Sequence, residues 1–282
     1  MNIVWLKRDL RTADHAPLTH AAQKGPVLPL YIVEPQLWQQ PDSSRRHWHF
    51  LHDSLYDLHQ TLALTIRIGE ATEVLEQLRH EIGPFTLWSH EETGNSWTYA
   101  RDIAVADWCR AHGVDWHEAP TNGIVRRLKS RDGWSLLRDA RLAKPILETP
   151  TAITLATGIT SHALPAKTDP LFGTEPIGNV QQGGRAEALR TLQSFLKERG
   201  RNYMQTISKP GISARHCSRL SAHITYGTLS VKEIEQATKA KMQTLAGNPE
   251  PDAAFFRRNL AAFLSRLAWH CHFIQKLEQQ PE

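Results

Sequence analysis

Short apolar runs alternate with segments of helical period through the first 120 residues. Residues 2–6 and 27–33 are apolar runs of strand length, and residues 13–23 between them fit a short helix. The alternation continues downstream, with helical period at 45–64, 71–82 and 98–112 and strand-like runs at 64–68, 86–89 and 114–116. This pattern predicts an α/β fold: a doubly wound, Rossmann-like parallel sheet with helices on both faces.

The loop after the first predicted strand lacks the glycine pattern of dinucleotide-binding domains. It contains two carboxylates, Asp9 and Asp14, which could form an acid–base pair. Their position favours instead N-capping of the next helix and salt bridges to Arg8 and Arg11. The N-terminal half is therefore interpreted as a scaffold.

Helical and strand periods disappear between residues 148 and 183, where Pro, Gly and Thr dominate. A stretch of this length is too long for an ordinary connection inside a compact domain, so it predicts an interdomain linker. The α/β domain is then residues 1–147. Residues 184–282 form an all-α region, with helices predicted at 185–198, 231–245 and 253–277 and no strand pattern.

Charge is distributed unevenly along the chain. The net charge is +4, but residues 184–282 hold 15 Lys and Arg against 8 Asp and Glu. A basic C-terminal region indicates a polyanionic partner, or else a solvated basic surface with none.

The remaining composition fits a cytoplasmic protein. The three cysteines, Cys109, Cys217 and Cys271, are widely spaced, which argues against disulfides and zinc. No signal-peptide pattern and no membrane-length apolar run is present. The spacing of His270, Cys271 and His272 would splay their side chains around a helix, so no metal site is predicted.

One segment of the helical region carries several groups that could bind phosphate. Residues 217–221 supply a thiol, two hydroxyls and a guanidinium just before a predicted helix, and such groups, with free amides at a helix start, suit a phosphate. The alternative is an N-cap cluster with Ser221 as the cap. The residues alone favour this second interpretation.

Two segments about 200 residues apart carry distinctive motifs. The first is Val4–Arg11 followed by Asp14-His15-Ala16-Pro17-Leu18; the second is Ser218-Arg219-Leu220-Ser221 followed by Gly227, Leu229 and Ser230. Together they resemble the photolyase/cryptochrome family of light-driven flavoproteins. In that family a Thr-Ser-Arg-Leu-Ser segment wraps the flavin pyrophosphate. Here Cys217 replaces the threonine, losing one good hydrogen bond. By resemblance, FAD would contact Tyr203, Cys217, Ser218, Arg219, Leu220 and Ser221.

The resemblance also implies DNA as a partner, through Lys209, Arg266, Trp269 and His270. In photolyases the tryptophan matched by Trp269 faces the damaged base, although its helical spacing with neighbouring apolar residues favours a core position. Two arginines of that family are replaced by Ile207 and His270, and a glutamate by Arg266, which puts lesion recognition in doubt. Trp97 and Thr98 stand where a folate antenna would be contacted, so the antenna chromophore stays unassigned, and no catalytic side chain is assigned.

The resemblance implies a photolyase-like flavoprotein, in which light-driven electron transfer from FAD repairs pyrimidine dimers. A cryptochrome-like photoreceptor is one alternative, and a non-catalytic fragment or binding module is another. The family has further sequence beyond the position matching Glu282, so a partial FAD-binding domain, with weak or absent FAD, is expected. Self-association is expected through a helical face containing Phe255, Phe263, Leu267 and Phe273.

Overall fold

A computed structural model describes residues 1–249 and 251–280 and divides the chain into two compact units. The first unit contains Met1–Thr121, Leu147–Arg185 and Tyr226–Thr228, and the second contains the rest. None of the described helices has the length and apolarity needed to cross a membrane.

The first unit is built on five strands and five helices. The strands are β1 (Asn2–Leu6), β2 (Val27–Val33), β3 (Thr65–Ile68), β4 (Thr86–His90) and β5 (Trp116–Ala119), and the helices are α1 (Ala16–Lys24), α2 (Pro35–Trp38), α3 (Arg45–Leu62), α4 (Ala71–Ile82) and α5 (Ser96–His112). All neighbouring strands are parallel, in the order β3-β2-β1-β4-β5. The predicted doubly wound sheet is confirmed.

Both faces of the sheet are buried, which explains why its central strands are apolar throughout. Along β1, Val4 and Leu6 belong to one core cluster, whereas Ile3 and Trp5 belong to the other. Strand β5 lies at the edge of the sheet and is partly exposed. It begins at Trp116, two residues later than predicted, because the chain first has to leave α5 through the left-handed residue Gly113.

The irregular segment 147–185 belongs to the first unit. Val27 N donates to Thr154 O at 2.8 Å and accepts at its carbonyl from Ala156 N at 2.9 Å. Farther along, the Phe172 ring stacks on Trp48 at 3.7 Å between centroids. The segment interpreted from composition as a linker is therefore held along the α/β unit by main-chain hydrogen bonds and aromatic packing.

The second unit is helical, as predicted, and no strand is found among its described residues. Its helices are α6 (Trp134–Ala143), α7 (Arg185–Lys197), α8 (Tyr203–Thr206), α9 (Pro210–His216), α10 (Ser221–Thr225), α11 (Val231–Ala246) and α12 (Pro251–Gln279). Residues 122–146, which composition groups with the α/β domain, cluster with these helices. There Arg138 Nη2 donates to Glu235 at 2.6 Å in a buried pair.

The helical core corrects part of the expected exposed face. Phe263 and Leu267 are buried with Phe195 and Phe256, because α12 lies between other elements of its unit along this side. Phe273 is exposed, and Phe255 is half-buried. Trp269 is also exposed, so the core position favoured by its helical spacing is wrong.

Candidate functional site

The loop 217–221 joins α9 to α10 and presents most of its polar groups outward. Leu220 is buried in the helical core, whereas Arg219 and Ser221 are exposed. Arg219 has a left-handed backbone (φ 60°), and Ser218 Oγ accepts from Leu220 N at 3.4 Å. Leu220 thus anchors a tight turn whose hydroxyl and guanidinium groups face outward.

Arg199 holds this loop through its main-chain carbonyl groups, and this contact was not predicted from the sequence. Its Nη1 donates to Cys217 O and its Nη2 donates to Ser218 O at 3.2 Å. The same guanidinium donates to Thr191 O at 2.8 Å and to Ser194 Oγ at 2.9 Å. Burial lowers the pKa of Arg199 from its ordinary value. One side chain therefore ties the end of α7 to the first two carbonyls of the loop.

Tyr203 packs in the same hydrophobic cluster as Cys217 of this loop. It is buried edge-on against Phe195 and Phe263. Burial raises the pKa of its hydroxyl, and the nearby Arg266 partly opposes this rise. Cys217 also contributes to raising the Tyr203 pKa. Three predicted site residues, Tyr203, Cys217 and Arg266, are thus electrostatic neighbours.

The exposed face of α12 continues from this group. The Arg266 guanidinium lies 4.4 Å from the centroid of the Trp269 ring, whose residue is 51% exposed. Trp269 in turn contacts Phe273 edge-on, with the centroids 6.3 Å apart. His270, one residue on, is half-buried, and burial and then Arg138 lower its pKa. The structure therefore brings Arg266 and Trp269 together, while His270 has a different environment.

Lys209 and helix α10 contribute less to a phosphate-binding site than the sequence predicts. Lys209 is exposed at the start of α9 and forms no ion pair with a described carboxylate. Helix α10 is a single turn of five residues, so its N-terminus is too weak a dipole to bind phosphate in the way that the sequence suggests. Phosphate binding at residues 217–221 would depend on side chains and on the turn itself.

The carboxyl ends of β1, β2 and β4 hold a second cluster of charged residues. Doubly wound sheets commonly bind ligands at this switch point. Here Arg101 donates to Glu34 at 2.7 Å, to Glu92 at 2.5 Å and to Asp102 at 2.8 Å, and all four are buried. Lys7 Nζ lies 3.3 Å from Asp102 Oδ2. Protein side chains thus fill this end of the sheet.

The carboxyl groups of this cluster have opposite pKa shifts. Burial raises the pKa of Glu34 to about 7 despite the opposing Arg101. For Glu92, burial alone would raise the pKa, but Arg101, Arg8 and Lys7 outweigh it and lower the pKa to about 2. The number of cations around each carboxyl group decides whether its pKa is raised or lowered.

Asp9 pairs with two histidines, which corrects the expected salt bridges. Its Oδ2 lies 2.9 Å from His15 Nε2 and 2.7 Å from His90 Nδ1, and all three residues are buried. Arg8 pairs with Glu92 instead, and Arg11 donates to the carbonyl oxygens of Asp14 and Gly227. The expected salt bridges were inferred because the aspartates and arginines are close in the sequence, and this closeness suggested the wrong partners.

His15, and not Asp9 or Asp14, caps α1. Its Nδ1 accepts from Leu18 N at 3.1 Å, so Nε2 carries the proton and faces Asp9. This tautomer presents an N–H group, where a metal would need a lone pair. Asp9, His15 and His90 lie close enough to hold an ion, but this tautomer favours instead an arrangement in which His15 Nε2–H faces the Asp9 carboxylate and His90 Nδ1 hydrogen-bonds to it. Both histidines hold the pKa of Asp9 well below its ordinary value, against the effect of burial.

Comparisons with known proteins agree with this architecture. The family model for DNA photolyase matches residues 2–133. The deoxyribodipyrimidine photo-lyase of Halobacterium salinarum is 24% identical over 98% of this chain and 61% of its own. The enzyme of the same name from Agrobacterium fabrum is 26% identical over 95% of this chain and 59% of its own. A cryptochrome structure from Synechocystis superposes with a TM-score of 0.79 at 18% identity, covering 99% of this chain and 61% of that one.

The fold, with a parallel doubly wound sheet followed by a helical unit, defines an α/β protein with an appended helical region. Residues 2–133 match the DNA photolyase family, and the chain as a whole is similar to photolyases and cryptochromes. It spans about three fifths of the length of the curated relatives it matches.

Proposed function

We propose that this chain is a photolyase-like flavoprotein that binds FAD at residues 217–221 and acts on pyrimidine dimers in DNA. The observation that carries the proposal is the arrangement at α12: an exposed Trp269 lies under Arg266, which is near enough to the buried Tyr203 to influence its pKa. An exposed indole under a guanidinium suits stacking of a base and neutralisation of a phosphate.

The donors of the loop fit the phosphates of FAD. Ser218 and Ser221 offer hydroxyls, and the exposed Arg219 offers a cation on a left-handed turn that Arg199 anchors through two main-chain carbonyls. Cys217 is a weaker hydrogen-bond partner than a threonine. When bound, FAD would supply the light-driven electron transfer, and the protein would supply binding and orientation.

DNA is proposed as the partner because the family relatives are named for dipyrimidine lyase activity and because the helical region is basic. Trp269 would stack on the target base once it leaves the duplex, and Arg266 would contact a phosphate. Lys209 is a further candidate for a phosphate contact. A cytoplasmic location suits the three free thiols. Self-association through the exposed Trp269 and Phe273 is a related proposal.

A photoreceptor without repair activity is the second candidate function. Ile207 and His270 support it, because they replace likely phosphate-binding arginines of the repair enzymes. His270 is also half-buried beside Arg138. In this role flavin binding would persist, but damaged DNA would not be preferred over undamaged DNA.

Flavin binding is tested by titrating FAD into the protein and following the quenching of flavin fluorescence. Saturable binding that weakens at least fivefold in Ser218→Ala supports the proposal. Ser208→Ala, an exposed serine outside the loop, is the matched control and should bind as the wild type does. No saturable binding up to about 1 mM FAD, or equal weakening in both variants, would overturn the site. The limit of about 1 mM is chosen because it corresponds to a very weak affinity.

Repair is tested by competition between dimer-containing and undamaged DNA at fixed salt, followed by illumination with FAD. A tenfold preference for damaged DNA, about 1.4 kcal/mol, together with loss of dimers in light supports repair. Flavin binding without either result supports the photoreceptor. If flavin does not bind, the remaining interpretation of the chain is a non-catalytic binding module.

A further inference from the structure

A basic loop at the end of α12 has no role in the flavin site. Residues 126–131 read Arg-Arg-Leu-Lys-Ser-Arg, and Arg127, Lys129 and Arg131 are exposed. None of these three forms an ion pair with a carboxylate in the part of the chain that the structure describes. A cavity of about 450 Å3 lies between this loop and Glu278, Gln279 and Gln280.

Side chains of α12 hold the main chain of this loop in one conformation. The buried Gln275 accepts from Val125 N at 2.8 Å and donates to Val125 O at 3.0 Å, as a neighbouring strand would. One turn later, Gln279 Nε2 donates to Leu128 O at 2.9 Å. Arg127 adopts a left-handed backbone (φ 56°) in the resulting turn. A loop fixed in this way loses little entropy when it binds a ligand.

The charges around the cavity leave an excess of cations. Arg126 is neutralised by Glu278, at 3.3 Å, and Asp132 accepts from Ser130 at 2.8 Å. Asp132 and the partial charge of about −0.5 at the C-terminal end of α12 oppose the three remaining cations. Counted over the described residues, more than one unit of positive charge remains around this open cavity. This chemistry suits the phosphates of a polyanion.

We propose that Arg127, Lys129 and Arg131 form a phosphate-backbone contact site for nucleic acid, in addition to the face around Trp269. The inference rests on the proposed DNA partner. Three cations carried on a loop whose main chain is held by α12 fit phosphates of one strand, without reading the bases. Binding at this loop would release counterions from DNA and so depend on salt.

The experiment measures the affinity for an undamaged duplex of about 30 base pairs across a range of salt concentrations, long enough to span such a site. Each phosphate contact contributes about −0.9 to the slope of log K against log salt. Replacing all three cations (R127Q, K129Q and R131Q) should therefore reduce the slope by about 2 to 3. The melting temperature should stay unchanged, because these side chains are exposed.

The matched control removes the same charge from scattered exposed positions, with K24Q, K144Q and K197Q in one variant. Its slope should change by less than about 1. Equal slopes in the two variants would overturn the loop site while leaving DNA binding intact. No measurable binding by the wild type would overturn the DNA partner itself, and with it this inference.

Discussion

Replacing Arg199 is the sharpest test of how the loop 217–221 is shaped. In Arg199→Gln the carbonyls of Cys217 and Ser218 lose their shared donor. A hydrogen bond to a charged group contributes about 1.5–3 kcal/mol, and the low end applies because water can reach a half-buried loop. Two such bonds amount to about 3 kcal/mol, or roughly a hundredfold shift toward open loop conformations.

Hydrogen exchange of the Leu220 amide, which donates to Ser218 Oγ at 3.4 Å, measures this opening without any cofactor. Its exchange should accelerate by roughly 30- to 100-fold, and FAD affinity should fall in parallel. Arg199→Lys keeps the charge but not the fork of donors, so it should recover only a small part. Arg201→Gln is the control: this arginine is exposed and pairs only weakly with Asp252, at 3.4 Å. Exchange rates that are the same in the Arg199→Gln and Arg201→Gln variants would show that the clamp does not shape the loop.

Three further changes have defined outcomes. Gly227→Ala should cost roughly 2 kcal/mol or more, because φ is +65° and an added methyl would collide with the Arg8 carbonyl; urea unfolding measures this, and an unchanged midpoint would contradict it. Trp269→Ala should weaken single-stranded DNA binding by about 1–3 kcal/mol with little change in melting temperature; equal affinity in a fluorescence titration would exclude stacking. Burial lowers the pKa of His90 to about 4. The free energy of unfolding should therefore be constant above about pH 6.5 and fall as the pH drops toward 4, because the unfolded chain takes up the proton first. Urea midpoints measured at several pH values test this direction, and His90→Gln should show a weaker dependence on pH.

The sequence predicts the sheet well because parallel strands are buried on both faces and therefore read as apolar runs. The edge strand β5 is predicted two residues early because local apolarity does not show that residues 114 and 115 are needed to leave α5 after Gly113. The segment 147–185 could not be assigned, since it has no period and its hydrogen bonds go to distant residues such as Val27. Its Pro and Gly content indicates only that it is neither helix nor strand.

The candidate site could be predicted only through its motif residues. The family resemblance suggests Ser218 and Ser221, but Arg199 contacts the loop through main-chain carbonyls, which leave no trace in the sequence. Similarly, the partners of Asp9 are His15 and His90, and His90 is 81 residues away. Long-range pairs of this kind need the fold before they can be recognised.

Neither compact unit corresponds to one continuous stretch of chain. Residues 122–146 cluster with the helices before the chain returns to the sheet, and Tyr226–Thr228 returns once more between α10 and α11. No single cut can therefore release either unit whole, and a nick in segment 147–185 leaves each unit assembled from separate pieces. For the same reason, exchanging one unit between relatives would require several crossover points, so the two units are expected to be inherited together.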